Sequence, residues 1–169
     1  MPPAAPHDTS AASHTVETTR ASVPRLIAPH LLFIAGIAQI SLDHLCPLVE
    51  LLSTPWTLLG WISILLGIAI QITAVIHFRC HRTSILPHRP SQALVSGGVY
   101  AFTRNPMYLG MVLILIGGVI IGGSLSPAIV PPLFVWAISR QLIPFEETML
   151  EQQFGNAYNQ YRQRVRRWI

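Results

Sequence analysis

The chain has 169 residues, is 51% hydrophobic and only 11% charged, and has a mean hydropathy of +0.48. That is too apolar for an ordinary soluble domain of this size and reads as a small all-α integral membrane protein. The formal net charge is +4, every basic charge is an arginine, and beyond Glu50 the carboxylates are Glu146, Glu147 and Glu151, so the distribution says more than the sum.

Residues 1–23 are rich in Ala, Ser, Thr, Pro and His without apolar periodicity, which predicts a disordered tail. They lack the basic start and apolar core of a signal peptide. Residues 24–169 then read as one membrane domain. A hydrocarbon core takes roughly 20 apolar residues of helix, and the sequence offers about four such segments, near 26–42, 57–78, 106–124 and 127–143. Pro29 and His30 weaken the first, and Pro131 with Pro132 predicts a kinked or late-starting fourth. Cys46 and Cys80 fall at opposite ends of a predicted span, which argues against a disulfide, and neither has metal-ligating company, so no metal is expected.

Arginines set the orientation. Arg20 and Arg25 precede the first span, Arg79, Arg82, Arg89 and Arg104 follow the second, and Arg162, Arg164, Arg166 and Arg167 end the chain. The other two loops have no Lys or Arg, so both termini and the 79–104 loop are assigned to the cytoplasm. Trp56 and Trp61 then sit near the outer interface. That membrane is the plasma membrane in a prokaryote and an endomembrane in a eukaryote. Gly118 and Gly122, flanked by Gly117 and Gly123, let helix backbones approach closely within the bundle or in a homodimer.

Beyond Pro144, apolar residues at Leu150, Phe154, Ala157, Tyr161 and Val165 follow the period of an amphipathic helix over 144–166. The wheel places Glu146 and Glu147 on or beside this stripe, facing the spans. Two explanations stand side by side. Acids behind a helix-starting proline favour the positive end of the helix dipole, and an inward carboxylate at the membrane edge needs a cation, supplied by Arg104, Arg140 or a ligand. Arg140 also fits a snorkelling interfacial arginine. In QALVSGGVYAFTRNPMYLG, Gly97 and Gly98 allow a tight turn, Tyr100 and Tyr108 offer phenols, and Pro106 opens the next span. Each residue has an ordinary structural explanation; together they line the bundle at the depth of Glu146.

ALVSGGVYAFTRNPMYLG followed by EETMLEQQFGNAYNQYRQRVRRWI resembles the C-terminal half of the isoprenylcysteine carboxyl methyltransferase and phospholipid methyltransferase superfamily, over roughly 90–169. The family's hallmark is an Arg-His-Pro-x-Tyr-x-Gly segment before one span, which Arg104 to Gly110 matches with asparagine at the second place, then a Glu-Glu pair and a Phe-Gly-x-x-Tyr-x-x-Tyr pattern. It implies a helical bundle whose cytoplasmic end encloses S-adenosylmethionine and admits a lipophilic acceptor from the bilayer. By position, it implies that Gln92, Ala93, Leu94, Val95, Tyr100, Asn105, Pro106, Met107 and Tyr108 contact the cofactor and that Glu146 closes the pocket. Arg104 and Glu147 belong to the same motifs and join Glu146 as candidate catalytic residues. Three positions depart from the pattern: Asn105 replaces the motif histidine, Gln92 another histidine, and Leu142 an arginine used towards substrate, for which Arg140 is the nearest substitute.

The implied chemistry is in-line methyl transfer from an activated sulfonium, in which positioning supplies much of the rate. The acceptor is a carboxylate, amine or thiol on a prenyl or lipid-like molecule, with no nucleic acid involved. An amine or thiol calls for a base; a carboxylate does not. Two rivals are an NADPH-dependent enzyme like the membrane sterol reductases, which calls for more arginines and more spans, and a non-catalytic scaffold of the same fold.

Overall fold

The computed structural model describes residues 28–50, 52–80 and 94–169. The expected tail, the loop arginines Arg82 and Arg89, and the candidate residues Gln92 and Ala93 lie outside them. Helices α1 (Ala28–Leu45), α2 (Leu58–Cys80), α3 (Pro106–Gly122), α4 (Val130–Phe154) and α5 (Asn156–Arg164) follow in order, with 3-10 turns at Gly98–Ala101 and Ser126–Ile129. Two stretches, Leu58–Cys80 and Ser126–Phe154, are long and apolar enough to cross a membrane. Helix α3 is equally apolar in character but has 17 residues, and α1 carries Gln39, Asp43 and His44 among its 18.

Prolines explain where the helices begin. Pro29, Pro106 and Pro131 all sit in first turns, where the missing N–H has no intrahelical acceptor to lose. Helix α4 accordingly starts late, at Val130, after its 3-10 turn. Pro144 behaves differently from expectation. It lies inside α4, which runs through it to Phe154, so the predicted helix over 144–166 is in fact the end of α4 plus a separate α5. Buried Leu142 and Ile143 before the proline, and anchored Glu146 and Glu147 after it, hold the helix across the one lost backbone bond. The break comes instead at Gly155, whose φ of +50° is open to glycine. It resets the helical phase, so the buried stripe continues through Tyr158 rather than the exposed Ala157.

Helix α3 is the hub. A Cβ at Gly60 or Gly117 would lie 2.6 Å from the other's carbonyl oxygen, and Gly110 stands in the same relation to the Gly67 carbonyl. These pairings make α2 and α3 antiparallel at backbone contact, the device that drives helix association where hydrophobicity cannot. On another face of α3, Gly118 meets Gln39 and Gly122 meets Asp43 of α1. The buried Gln39 amide donates to the Leu115 carbonyl at 2.7 Å, so α1 runs parallel to α3. Both glycine faces are thus occupied by helices of the same chain.

At one end of the bundle, Ser124 bonds Asp43 and Ser126 bonds the Cys46 carbonyl, tying the α1–α2 connection to the α3–α4 turn. Trp56 and Trp61 are exposed at this end. Large apolar side chains along α1 and α2, among them Phe33, Ile37, Leu65, Ile72 and Ile76, are also exposed, a surface suited to hydrocarbon rather than water. The polar cluster that carries the candidate residues occupies the opposite end.

Candidate active site

The last turn of α2, the 94–105 loop, the first turn of α3, the end of α4 and α5 converge at that end. Pro106 starts α3, fully buried, and sends Tyr108 into the core beside Met111, Leu142 and Ile143. From there the Tyr108 hydroxyl donates a 2.6 Å hydrogen bond to Glu146 Oε1. Among the described residues no cation pairs with Glu146.

Its neighbour is the reverse. Glu147 Oε1 lies 3.0 Å from Arg104 Nη1, and Glu147 Oε2 lies 2.6 Å from Arg167 Nη2, while Arg167 Nε donates to Oε1 at 3.1 Å. Arg104 Nη1 also donates to the Tyr158 hydroxyl at 3.3 Å. Arg104 Nε is buried and has no acceptor among the described residues. A buried donor left without a partner carries its full desolvation penalty.

The loop before α3 is held by the chain's end. Arg104 N–H donates to the Arg166 carbonyl at 3.0 Å, and the Thr103 hydroxyl and the Asn105 amide both donate to the Arg167 carbonyl, at 3.2 and 2.9 Å. Asn105 therefore occupies the N-cap position of α3 without capping it. Its amide faces the tail, and Thr103 Oγ1 accepts the Asn105 N–H instead.

Tyr100 is buried on the Gly98–Ala101 turn, edge-on to Phe78 with centroids 5.3 Å apart, and its carbonyl accepts the Tyr161 hydroxyl at 2.7 Å. Val95 and Met107 pack in the same cluster, and Leu94 packs against Tyr158 and Tyr161. The turn approaches α2 closely because Gly98 has φ +61° and no Cβ, which would otherwise enter the His77 ring. That ring is oriented by its Nδ1 contact with the Thr73 carbonyl at 2.9 Å.

Burial pushes the phenols of Tyr100 and Tyr161 well above the ordinary 10.0; the neighbouring Tyr161 and then Glu146 push Tyr100 further, while Arg104 partly offsets Tyr161. Tyr158 is raised too, by burial first and then by Glu147, against the pull of Arg104 and Arg162. All three are neutral hydrogen-bonding groups, not bases.

The structure thus brings together Leu94, Val95, Tyr100, Arg104, Asn105, Pro106, Met107, Tyr108, Glu146 and Glu147. Arg140 stands apart: it is exposed and forms an ion pair with neither glutamate. Of the two candidate arginines for the glutamates, Arg104 is the one that pairs, and with Glu147. The sequence marks Arg167 only as a topological charge and leaves Tyr158 off the expected stripe. The FGNAY run, with glycine between two aromatic residues, is the available signal for the phase break that turns Tyr158 inward.

The phospholipid methyltransferase family model matches residues 56–157, more than half of the chain, including α2 to α4 and both polar motifs. The chain is 34% identical over 108 residues to protein-S-isoprenylcysteine O-methyltransferase B of Arabidopsis thaliana, covering 63% of this chain and 55% of that protein. It is 35% identical over 72 residues to the Schizosaccharomyces pombe protein-S-isoprenylcysteine O-methyltransferase, 43% of this chain and 30% of that one. The Tribolium castaneum protein of that name is 39% identical over 74 residues, 43% of this chain and 26% of its own length. The chain therefore spans about half the length of the first of these relatives and less of the others. With a match that spans more than half of the chain and takes in Tyr108 and Glu146, the chain belongs to the phospholipid methyltransferase family.

Proposed function

We propose that the protein is a four-span membrane methyltransferase that moves a methyl group from S-adenosylmethionine to a lipophilic acceptor at the cytoplasmic face. The contrast between adjacent glutamates carries the reading: Glu147 is shared by two arginines, whereas Glu146 is held by a neutral phenol and has no cation among the described residues. A carboxylate wanting a cation and a guanidinium N–H wanting an acceptor suit the ammonium and carboxylate of an amino-acid ligand. Tyr100, Met107 and Tyr108 supply aromatic and thioether surface for a sulfonium and an adenine.

When bound, the cofactor supplies a methyl carbon on a sulfonium, already activated towards displacement. This chain's residues have the task of orientation. Tyr108 fixes Glu146, Arg104 keeps one donor without an acceptor among the described residues, and the packed turn at Gly98–Ala101 sets the Tyr100 ring. Gln92, Ala93, Leu94, Val95, Asn105 and Pro106 complete the proposed cofactor contacts.

The alternating helix directions and the arginines at the site end support a four-span topology with that end in the cytoplasm. The prenylated substrate in the relatives' names supports an acceptor that enters from lipid. Leu142 is 4% exposed within the apolar cluster, so this position places no charge near the acceptor.

The test is thermal unfolding of detergent-purified protein with S-adenosylmethionine, S-adenosylhomocysteine or NADPH, for the native chain and Glu146→Ala. Ligand at about 100 times its dissociation constant should stabilise the native fold by nearly 3 kcal/mol. Stabilisation by both adenosyl ligands, lost in the variant, is expected. A response to NADPH alone, or to none of the three, would sink the proposal.

A further inference from the structure

We propose that Arg167 is a positioning residue that keeps Arg104 Nε available to a ligand's carboxylate, an inference that rests on the function just proposed. Arg167 lies in the tail after α5, beyond the residues that match the family model. Three observations place it in the machinery.

The first is its grip on Glu147. Arg167 donates Nη2 to one carboxylate oxygen and Nε to the other, at 2.6 and 3.1 Å, in the two-pronged geometry that makes arginine–carboxylate pairs directional. The side chain of Glu147 is 12% exposed and that of Arg167 38%, so the pair closes the surface over a buried anion.

The second is what this leaves to Arg104. With both glutamate oxygens engaged by Arg167, Arg104 touches Glu147 through Nη1 and keeps Nε without an acceptor among the described residues, although its side chain is only 10% exposed. Without the Arg167 guanidinium, Glu147 would have a bare oxygen beside a neighbouring arginine with an unused N–H. Those two groups would be drawn together, and the donor would be lost to a ligand.

The third is the backbone. The carbonyls of Arg166 and Arg167 receive the Arg104 N–H, the Thr103 hydroxyl and the Asn105 amide, and Trp168 packs against the main apolar cluster. The tail is therefore anchored independently of the Arg167 side chain, so a side-chain substitution tests the guanidinium rather than the path of the chain.

The experiment compares two nucleosides on the full chain in detergent by titration calorimetry: S-adenosylhomocysteine, which carries the amino-acid end, and methylthioadenosine, which lacks it. Arg167→Gln should weaken S-adenosylhomocysteine about tenfold, as expected for one charge-assisted hydrogen bond, and leave methylthioadenosine unchanged. Arg167→Lys, keeping the charge but not the fork, should fall between the native protein and Gln. Equal weakening of both nucleosides would mean a merely structural role and overturn the inference, as would unchanged affinity for both. Should Arg167→Gln fail to fold, Arg167→Lys decides by the same difference between the two ligands. Failure of the native chain to bind either nucleoside would overturn the proposed function itself, a separate result.

Discussion

The Tyr108 hydroxyl and Glu146 carboxylate meet at 2.6 Å across thirty-eight positions of sequence, joining the first turn of α3 to the part of α4 beyond Pro144. The bond aims Glu146 and satisfies one of its oxygens in a partly buried setting. Tyr108→Phe removes that donor while keeping the ring in its apolar cluster. Hydrogen bonds to charged groups contribute about 1.5–3 kcal/mol, so affinity for S-adenosylhomocysteine should fall by roughly 10- to 100-fold. Calorimetric titration checks it, and an unchanged dissociation constant would remove Tyr108 from the site.

Backbone contact between α2 and α3 leads to a second expectation. A side chain at Gly67 would meet the Gly110 carbonyl and Ile114, whereas nothing lies within 4 Å of a Cβ added at Gly36. Gly67→Val should therefore destabilise by at least the 1–3 kcal/mol typical of overpacking, because the obstacle is backbone. Gly36→Ala, in the middle of α1, should be neutral or slightly stabilising through helix propensity. Unfolding temperatures of the two variants in one detergent decide the matter; similar effects would mean that the helices do not pack at Gly67.

Much of this architecture is legible in the amino-acid sequence. Apolar length locates α2 and the core of α3, and first-turn prolines set the starts of α3 and α4. The inward side of Glu146 also follows from the wheel, because Glu146 precedes the Gly155 break and shares the phase of the helix behind it. Residues beyond Gly155 lose that phase, which is why an unbroken wheel puts Ala157 inside and leaves Tyr158 out. The Arg167 network has no such signal, because it depends on the tail folding back onto 103–105 through main-chain carbonyls, which leave no residue-type signature. The pairing of Gly60 and Gly67 with Gly117 and Gly110 is equally silent, since a seven-residue spacing on two helices acquires meaning only once they are known to be antiparallel.

Gly98 offers a test of how the aromatic wall is positioned. Its φ of +61° costs any L side chain about 1–2 kcal/mol, and here a Cβ would also enter the His77 ring. Gly98→Ala should therefore displace the turn that carries Tyr100, lowering the unfolding temperature and S-adenosylhomocysteine affinity together. Gly97→Ala is the control, since nothing lies within 4 Å of a Cβ there and its φ of −99° is ordinary. Equal affinity in the two variants would show that the turn does not shape the site.

The tyrosine cluster predicts an alkaline weakness. Tyr100 and Tyr161 keep their protons in the fold to a pH above the ordinary 10.0, chiefly because burial disfavours the phenolate. In the unfolded chain the same phenols ionise near 10, so above that pH unfolding releases protons and is favoured as pH rises. Their contribution is fully present below about pH 10 and is lost as pH climbs towards the raised folded values. Each such group steepens the fall by up to about 1.4 kcal/mol per pH unit. Tyr161→Phe should start less stable, by about 1 kcal/mol, for loss of its bond to the Tyr100 carbonyl. It should also decline more shallowly between pH 10 and 11, because one titrating group has gone. Thermal unfolding from pH 8 to 11 separates the two effects: parallel declines in native and variant protein would mean that Tyr161 ionises as freely folded as unfolded.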